Sequence, residues 1–211
     1  MTNILVVDDS PFIVDIFTTM LKQEGYTAES ADGGPSALEK LKVFRPELIM
    51  LDIIMEPMDG WETLLAIKQD PELKEIPVMM LTAKQITPYE AEAYGIYIED
   101  YILKPVTHNG LYTAIENILT RLKNTAADIE LGRKNGYQEA TIQEYARLAH
   151  HVTISKRLIK LLESAYQYDD MPNNVSGDVN SFITSMSQNM TFQNERLIEL
   201  RELFSKQNTE A

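Results

Sequence analysis

The stretch LIMLDIIMEPMDG, residues 48–60, joins four consecutive apolar residues to an aspartate, Asp52, and ends in a segment with the turn residues Pro57, Asp59 and Gly60. A short apolar run followed by turn residues is typical of a strand buried on both faces, as in a parallel sheet. Similar runs recur through the first half of the chain, at residues 4–7, 26–30, 78–81 and 101–103. Amphipathic segments separate them, with helices predicted over 10–24, 35–44 and 59–69 and a further segment at 90–94. This alternation predicts βαβ units and an α/β fold with a five-stranded parallel sheet.

Charge is distributed unevenly along the chain. The 211 residues carry 19 basic and 32 acidic side chains, a net charge of -13. Residues 1–120 hold 8 basic and 20 acidic side chains, whereas residues 121–211 hold 11 and 12. An acidic surface repels phosphate backbones and anionic lipid, so nucleic acid is not expected as a partner. The chain has no cysteine, and we find no signal peptide or membrane span in its sequence, so we expect a cytoplasmic protein without disulfides.

The strand pattern stops after residue 107, and the remaining sequence reads as helix. One helix is predicted from 111 to about 129, a second over 139–166, and a third from an N-cap at Asp178, after a turn at 168–177. Apolar residues of the last two helices recur about every 3.5 positions, which favours left-handed helix-on-helix packing. This packing could form an antiparallel hairpin within one chain or join two subunits.

Both apolar seams contain a polar position. The seam of the third helix runs from Val179 to Phe204 and includes Gln193, and the seam of the second helix includes Ser155.

Five polar side chains stand at the predicted carboxyl ends of strands. Asp8 and Asp9 follow the first strand, Asp52 the third, Thr82 the fourth and Lys104 the fifth. Ligands of open α/β sheets bind in the crevice outside these ends. Three clustered carboxylates would repel one another unless a cation joined them, and an all-oxygen site suits Mg²⁺.

The motifs VVDDS, LIMLDIIMEPMDGWE, MMLTAK and DYILKP, in this order, resemble the receiver domain of two-component response regulators. The resemblance covers about residues 1–123 and implies a doubly wound, flavodoxin-like sheet of strand order 2-1-3-4-5. Residues 124–211 would then form an all-α helical extension. The family is not enzymatic in the usual sense, since its members accept a phosphoryl group from a sensor histidine kinase.

The resemblance also implies roles for individual residues. Asp52 would be the phosphoacceptor, and Asp9, Asp52 and the backbone carbonyl of Ile54 would hold Mg²⁺, with Asp8 acting mainly through water. Lys104 would pair with a phosphoryl oxygen.

Further roles concern the switch. Thr82 would hydrogen-bond the phosphoryl group, and Tyr101 would turn inward with it. The peptide bond before Pro105 would be cis.

Two features depart from the family pattern. The usual proline four residues after the phosphoacceptor is replaced by Glu56, and the proline stands at Pro57, so we expect Glu56 to point into water. The segment from Gly95 to Lys104 is two residues longer than is usual in this family, which predicts a shortened fourth helix. Ile54 and Lys84 cannot position an attacking water, which predicts slow self-dephosphorylation.

Three output functions are possible for the helical extension, residues 124–211. A helical interaction module, which pairs with itself or with a downstream protein, suits the long amphipathic helices. A DNA-binding output is the second possibility, but the sequence shows no helix-turn-helix pattern. A phosphorelay through His150 or His151 is the third possibility, although the residues that follow them do not match known phosphohistidine sites.

Overall fold

The computed structural model describes residues 2–166 and 173–205, in which five strands and seven α-helices are found. The strands are β1 (Asn3–Val7), β2 (Thr27–Ala31), β3 (Leu48–Leu51), β4 (Val78–Thr82) and β5 (Asp100–Leu103). The helices are α1 (Pro11–Gln23), α2 (Gly34–Leu41), α3 (Gly60–Gln69), α4 (Pro88–Tyr94), α5 (His108–Lys134), α6 (Glu139–Tyr166) and α7 (Asn173–Ser205). Every predicted strand is present, and its bounds differ by at most one residue from the prediction.

The five strands form one parallel sheet in the order β2-β1-β3-β4-β5. The predicted fold class, a doubly wound α/β domain followed by helices, is therefore confirmed. All residues of β3 and β4 are buried, because a central parallel strand is covered on both faces, and this explains their unbroken apolar sequences. The order also places the carboxyl ends of β1, β3, β4 and β5 along one edge.

The described residues fall into two compact units. The sheet unit lies within Met1–Gln85 and Tyr97–Ile115, and the helical unit lies within Ile86–Ile96 and Glu116–Ala211. Helix α4 has seven residues, as short as the sequence predicts, and it belongs to the helical unit although it lies inside the predicted first domain, residues 1–123. The boundary at residue 123 stays a prediction.

The helical unit has its own apolar core between α6 and α7. Tyr145 near the start of α6 packs its ring against Phe204 near the end of α7, with centroids 5.1 Å apart, so the two helices run antiparallel. Further core residues are Ile142, Leu148 and Leu200, with Ile129, Tyr137 and Leu197 packed around them. Arg196 of α7 also pairs with Glu144 of α6 at 2.9 Å.

Helix α7 begins earlier than the sequence predicts. It starts at Asn173, so Asp178 is not its N-cap, and that prediction is wrong. Residues 168–172 of the predicted turn lie outside the described residues, whereas 173–177 are helical. Asn, Ser and Gly are weak local signals that a long helix overrides, at a cost of about 1 kcal/mol for a helical glycine. Among the helices described, none has both the length and the apolar character that crossing a membrane requires.

Candidate functional site

The edge formed by the strand ends brings three charged side chains together. Lys104, which follows β5, places its Nζ 2.5 Å from Oδ2 of Asp8 and 3.4 Å from Oδ1 of Asp52. The two aspartates come directly after β1 and β3, which are neighbours in the sheet. Asp8 also accepts a hydrogen bond from the backbone N–H of Ser10 at 3.0 Å. One ammonium group is therefore shared by two carboxylates.

Burial sets the electrostatics of this site. Asp52 is 8% exposed and Asp8 is 4% exposed. Oδ1 of Asp52 is buried and accepts no hydrogen bond from any described residue. Burial raises the pKa of Asp52, while the charge of Lys104 and a hydrogen bond from Thr82 act in the opposite direction. Oδ1 of Asp52 thus makes no hydrogen bond with the described residues, and the charge of Lys104, 3.4 Å away, partly compensates the cost of its burial.

The three predicted carboxylates do not form a compact cluster in this structure, and their role as metal ligands stays a prediction. Among the described residues, no three His, Cys, Asp or Glu side chains converge closely enough to hold a metal ion. Asp9 is exposed to solvent, whereas Asp8 is turned toward Lys104. The ammonium group of Lys104 relieves the repulsion that a cation was expected to relieve. The side chain of Ile54 is 58% exposed.

The two predicted switch residues meet at a third residue. Oγ1 of Thr82 accepts a hydrogen bond from the N–H of Lys84 at 3.2 Å, and the hydroxyl of Tyr101 donates to the carbonyl oxygen of Lys84 at 2.6 Å. Thr82 and Tyr101 are both fully buried. Tyr101 also stacks on Trp61, with ring centroids 6.4 Å apart. Tyr101 therefore faces inward, and Lys84 links it to Thr82.

The loop after Asp52 is held by a close backbone approach that sequence reasoning missed. Gly60, the first residue of α3, donates its N–H to the carbonyl oxygen of Ile53 at 2.9 Å. A Cβ added at Gly60 would lie 2.1 Å from the backbone oxygen of Asp52. Asp59 and Glu62 form a capping box that fixes the start of α3. The DG pair after the apolar run was the available signal for this turn.

Other predicted features are found at the same edge. The bond between Lys104 and Pro105 is cis, as predicted, and the bond between Glu56 and Pro57 is cis as well. Glu56 is exposed, in agreement with the expectation that it points into water. The N–H of Lys104 donates to the carbonyl oxygen of Thr82 at 2.8 Å.

The two histidines lie in the helical unit. Nε2 of His150 is 3.1 Å from the carbonyl oxygen of Ile96, and the rings of His150 and His151 are 6.1 Å apart. Burial lowers the pKa of His151, with smaller contributions from His150 and Arg147. His150 thus contacts the chain segment that follows α4.

The fold and the site define a class: a doubly wound α/β domain with a buried aspartate beside a lysine at the carboxyl edge of its sheet. The model of the response regulator receiver domain family matches residues 4–116, just over half of the chain. The chain belongs to this family. A second family model, described as Metanogen output domain 2, matches residues 121–208.

Several known proteins are similar to parts of this chain. The Bacillus subtilis alkaline phosphatase synthesis transcriptional regulatory protein PhoP is 32% identical over 140 residues, which are 66% of this chain and 57% of that protein. The N-terminal domain of a response regulator receiver protein from Methanoculleus marisnigri is 60% identical, with a TM-score of 0.49, and the match covers 56% of this chain and 97% of that one.

A third similar protein is the Thermotoga maritima response regulator TrrA, solved in complex with Mg²⁺-BeF. It is 29% identical with a TM-score of 0.50, and the match covers 56% of this chain and 99% of that one. The chain spans between 31% and 58% of the length of the curated relatives it matches.

Proposed function

We propose that this chain is a response regulator that accepts a phosphoryl group on Asp52 and uses its helices as an interaction module. The observation that supports this proposal is the buried carboxylate of Asp52, which has one oxygen without a hydrogen-bond donor and lies 3.4 Å from Lys104. A buried carboxylate with one oxygen free of hydrogen bonds is suited to react with an electrophile whose charge nearby groups neutralise.

The proposed donor is a phosphohistidine on a sensor histidine kinase in the cytoplasm. An oxygen of the Asp52 carboxylate forms a bond to phosphorus as the nitrogen–phosphorus bond breaks. The bonding electron pair stays on the imidazole nitrogen, which leaves with the kinase. Phosphoryl transfer depends chiefly on positioning and on neutralisation of the phosphoryl oxygens. Lys104 supplies a positive charge for one oxygen, and the hydroxyl of Thr82 supplies a hydrogen bond for another.

The residues at the site fit Mg²⁺. The available donors are the carboxylates of Asp8, Asp9 and Asp52 and the carbonyl of Ile54, all of them hard oxygen ligands. The oxygen of Asp52 that lacks a donor is the atom that gains most from a cation. When bound, Mg²⁺ would supply positive charge to the phosphoryl oxygens. Asp9 and Asp52 would hold it directly, with Ile54, and Asp8 would act through water.

Phosphorylation is tested with the full chain and acetyl phosphate in the presence of Mg²⁺. We expect intact-mass spectrometry to show one added phosphoryl group, and Asp52→Asn to abolish it. Asp70→Asn, an exposed residue after α3, is the matched control and should be labelled like the parent. Labelling of folded Asp52→Asn at the parental rate would refute the assignment of the acceptor.

The proposed output is the helical unit, which binds a downstream protein or a second copy of the chain. This proposal is supported by the antiparallel α6 and α7 and by α4, which packs with them. Light scattering with and without beryllofluoride and Mg²⁺, alongside Asp52→Asn, is the test. We expect the mass or shape of the parent protein to change and that of the variant to stay constant. Constant values for both would exclude phosphorylation-controlled association.

A phosphorelay through the helical unit is not favoured, because the ring of His150 contacts the carbonyl of Ile96. The double variant His150→Gln, His151→Gln should therefore be labelled like the parent. Loss of labelling on these histidines would instead show a relay. No described feature favours DNA binding either.

The phosphoryl group on Asp52 should be long-lived. The side chain of Ile54 is apolar and mostly exposed, and Lys84 carries no acid or amide, so neither can position an attacking water. We expect Ile54→Glu to shorten the lifetime of the phosphorylated protein in Mg²⁺ buffer. A lifetime of a few seconds in the parent would contradict this reasoning.

A further inference from the structure

The helical unit contains a cavity of about 410 Å³ between α4, α6 and α7. This volume falls within the range of small-molecule sites, about 300–1,000 Å³. It is formed by residues from three segments that are far apart in the sequence, including Gly95, Leu158 and Phe182. None of the residues that line the cavity belongs to the site at Asp52, and no part of the proposed phosphoryl transfer uses them.

The polar positions of both apolar seams line this cavity. Gln193 interrupts the seam of α7 and Ser155 interrupts that of α6, and each contributes to the wall. On the side of α4 the wall includes Ala91 and Gly95, whose side chains are small or absent, together with the larger Glu92 and Ile96. Small and polar residues replace the large apolar ones that would close a three-helix core. The space is therefore specified by the sequence of all three helices.

Two of the segments that line the cavity are in close contact beside it. A Cβ at Gly95 would lie 2.7 Å from Cδ1 of Leu158, so α4 and α6 already touch at this point. The cavity is thus the part of the α4–α6–α7 junction that the helices do not fill, beside a contact that admits no further atom.

The chemistry of the wall defines what it can bind. Apolar side chains, among them Ile154, Leu158 and Met186, provide most of its surface, and hydroxyl and amide groups of Ser155 and Gln193 provide hydrogen bonds. Of the described residues that line it, none is Lys or Arg, Glu92 carries a negative charge, and His151 also lines the cavity with a pKa that burial lowers. An anion would find no counter-charge here and would face a carboxylate.

We propose that this cavity is a binding site for a small organic molecule with an apolar body, hydroxyl, amide or amine groups, and no negative charge. The mostly apolar wall favours desolvation of such a ligand, and the amide and hydroxyl groups fix its orientation. One wall of the site is α4, so a bound ligand would contact all three helices of the junction.

The test compares two fluorescent probes with the same aromatic skeleton. N-phenyl-1-naphthylamine is neutral, and 8-anilinonaphthalene-1-sulfonate carries a sulfonate. We expect the unphosphorylated full chain to bind one neutral probe with enhanced fluorescence, and the anionic probe at least about tenfold more weakly. Equal or stronger binding of the anionic probe would overturn the proposed ligand class. Because no phosphoryl donor is present, this result is independent of the proposed function.

Matched variants of α7 locate the probe. Ser185 lines the cavity, whereas its neighbour Thr184 is not among the lining residues, and both are exposed. Ser185→Phe should fill the cavity and weaken binding of the neutral probe at least about tenfold, and Thr184→Phe should stay within about twofold of the parent. Asn189→Phe, one turn further along the lining face, provides a second filling variant if Ser185→Phe does not fold. Parental binding by a folded filling variant would refute the site.

Discussion

Replacement of Gly60 by alanine should displace the phosphoacceptor. A Cβ at this position would lie 2.1 Å from the backbone oxygen of Asp52 and 2.7 Å from Cα of Ile53. Real Cβ contacts are not found below 3.0 Å, so the oxygen and the new methyl group must separate by about 0.9 Å. The atoms in the way are backbone atoms, which cannot rotate aside as a side chain does. Since a misplacement of about 1 Å can cost 10²-fold in rate, we expect Gly60→Ala to slow phosphoryl uptake by 10- to 100-fold.

The matched control is Gly110→Ala, which also changes a glycine in the first turn of a helix. Its Cβ would lie 3.1 Å from Oγ1 of Thr107, a side-chain atom that can move. Helix propensity alone would make both variants more stable by about 1 kcal/mol. We therefore expect Gly110→Ala to match or exceed the parental stability, and Gly60→Ala to lose about 1–3 kcal/mol through overpacking. Rates of labelling by acetyl phosphate and urea unfolding of the full chain are the measurements.

Tryptophan fluorescence can report ligand binding at the site, because Trp61 is the single tryptophan of the protein and stacks on Tyr101. Its fluorescence should report saturation by beryllofluoride and Mg²⁺ in the parent and in Gly110→Ala at the same concentrations. A folded Gly60→Ala protein that is labelled at the parental rate would show that the backbone approach does not position Asp52.

Two further predictions concern charged and hydrogen-bonded groups. Lys104→Ala leaves the buried carboxylates of Asp8 and Asp52 without the ammonium group they share. Urea unfolding at pH 7 in EDTA should therefore show a free energy of unfolding about 3 kcal/mol lower than that of the parent. An unchanged midpoint would contradict the shared ion pair. Burial and the hydrogen bond to Asp128 raise the pKa of Tyr145, so the folded state favours the neutral phenol. The resulting contribution to the stability of the folded state is complete below the unfolded pKa of about 10 and is lost as the pH rises above it. Tyr145→Phe should be less stable than the parent at pH 7 by about 1 kcal/mol and should lose less stability between pH 9 and pH 11 in thermal melts, whereas parallel losses would refute the assignment.

The sheet could be predicted because the sequence of each strand by itself indicates a buried strand. Residues 48–51 and 78–81 are buried on both faces, so their sequences are continuously apolar and need no knowledge of their neighbours. The start of α7 was not predictable in the same way, since Asn173 and Gly177 are turn formers in isolation. The membership of α4 in the helical unit depends on Gly95 and Leu158, which are far apart in the sequence, so no periodic pattern reveals it.

The site shows the same division between local and long-range information. Asp52 and Lys104 could be placed because each follows a strand, and parallel strands bring their carboxyl ends to one edge. The sequence did not reveal that Lys104 pairs most closely with Asp8, because the choice of partner depends on side-chain geometry across the sheet. Nor did it reveal the tight turn at Gly60, since a glycine after an aspartate reads only as a turn.

The position of Lys84 connects the chemistry to the helical unit through the chain itself. Its N–H and its carbonyl are held by Thr82 and Tyr101, so a movement of either side chain acts on one peptide segment. Three residues later Thr87 caps α4, in a capping box with Glu90 that fixes the start of this helix. The segment from Lys84 to Thr87 is thus a short covalent link between the residue held by the two switch side chains and the capped start of α4.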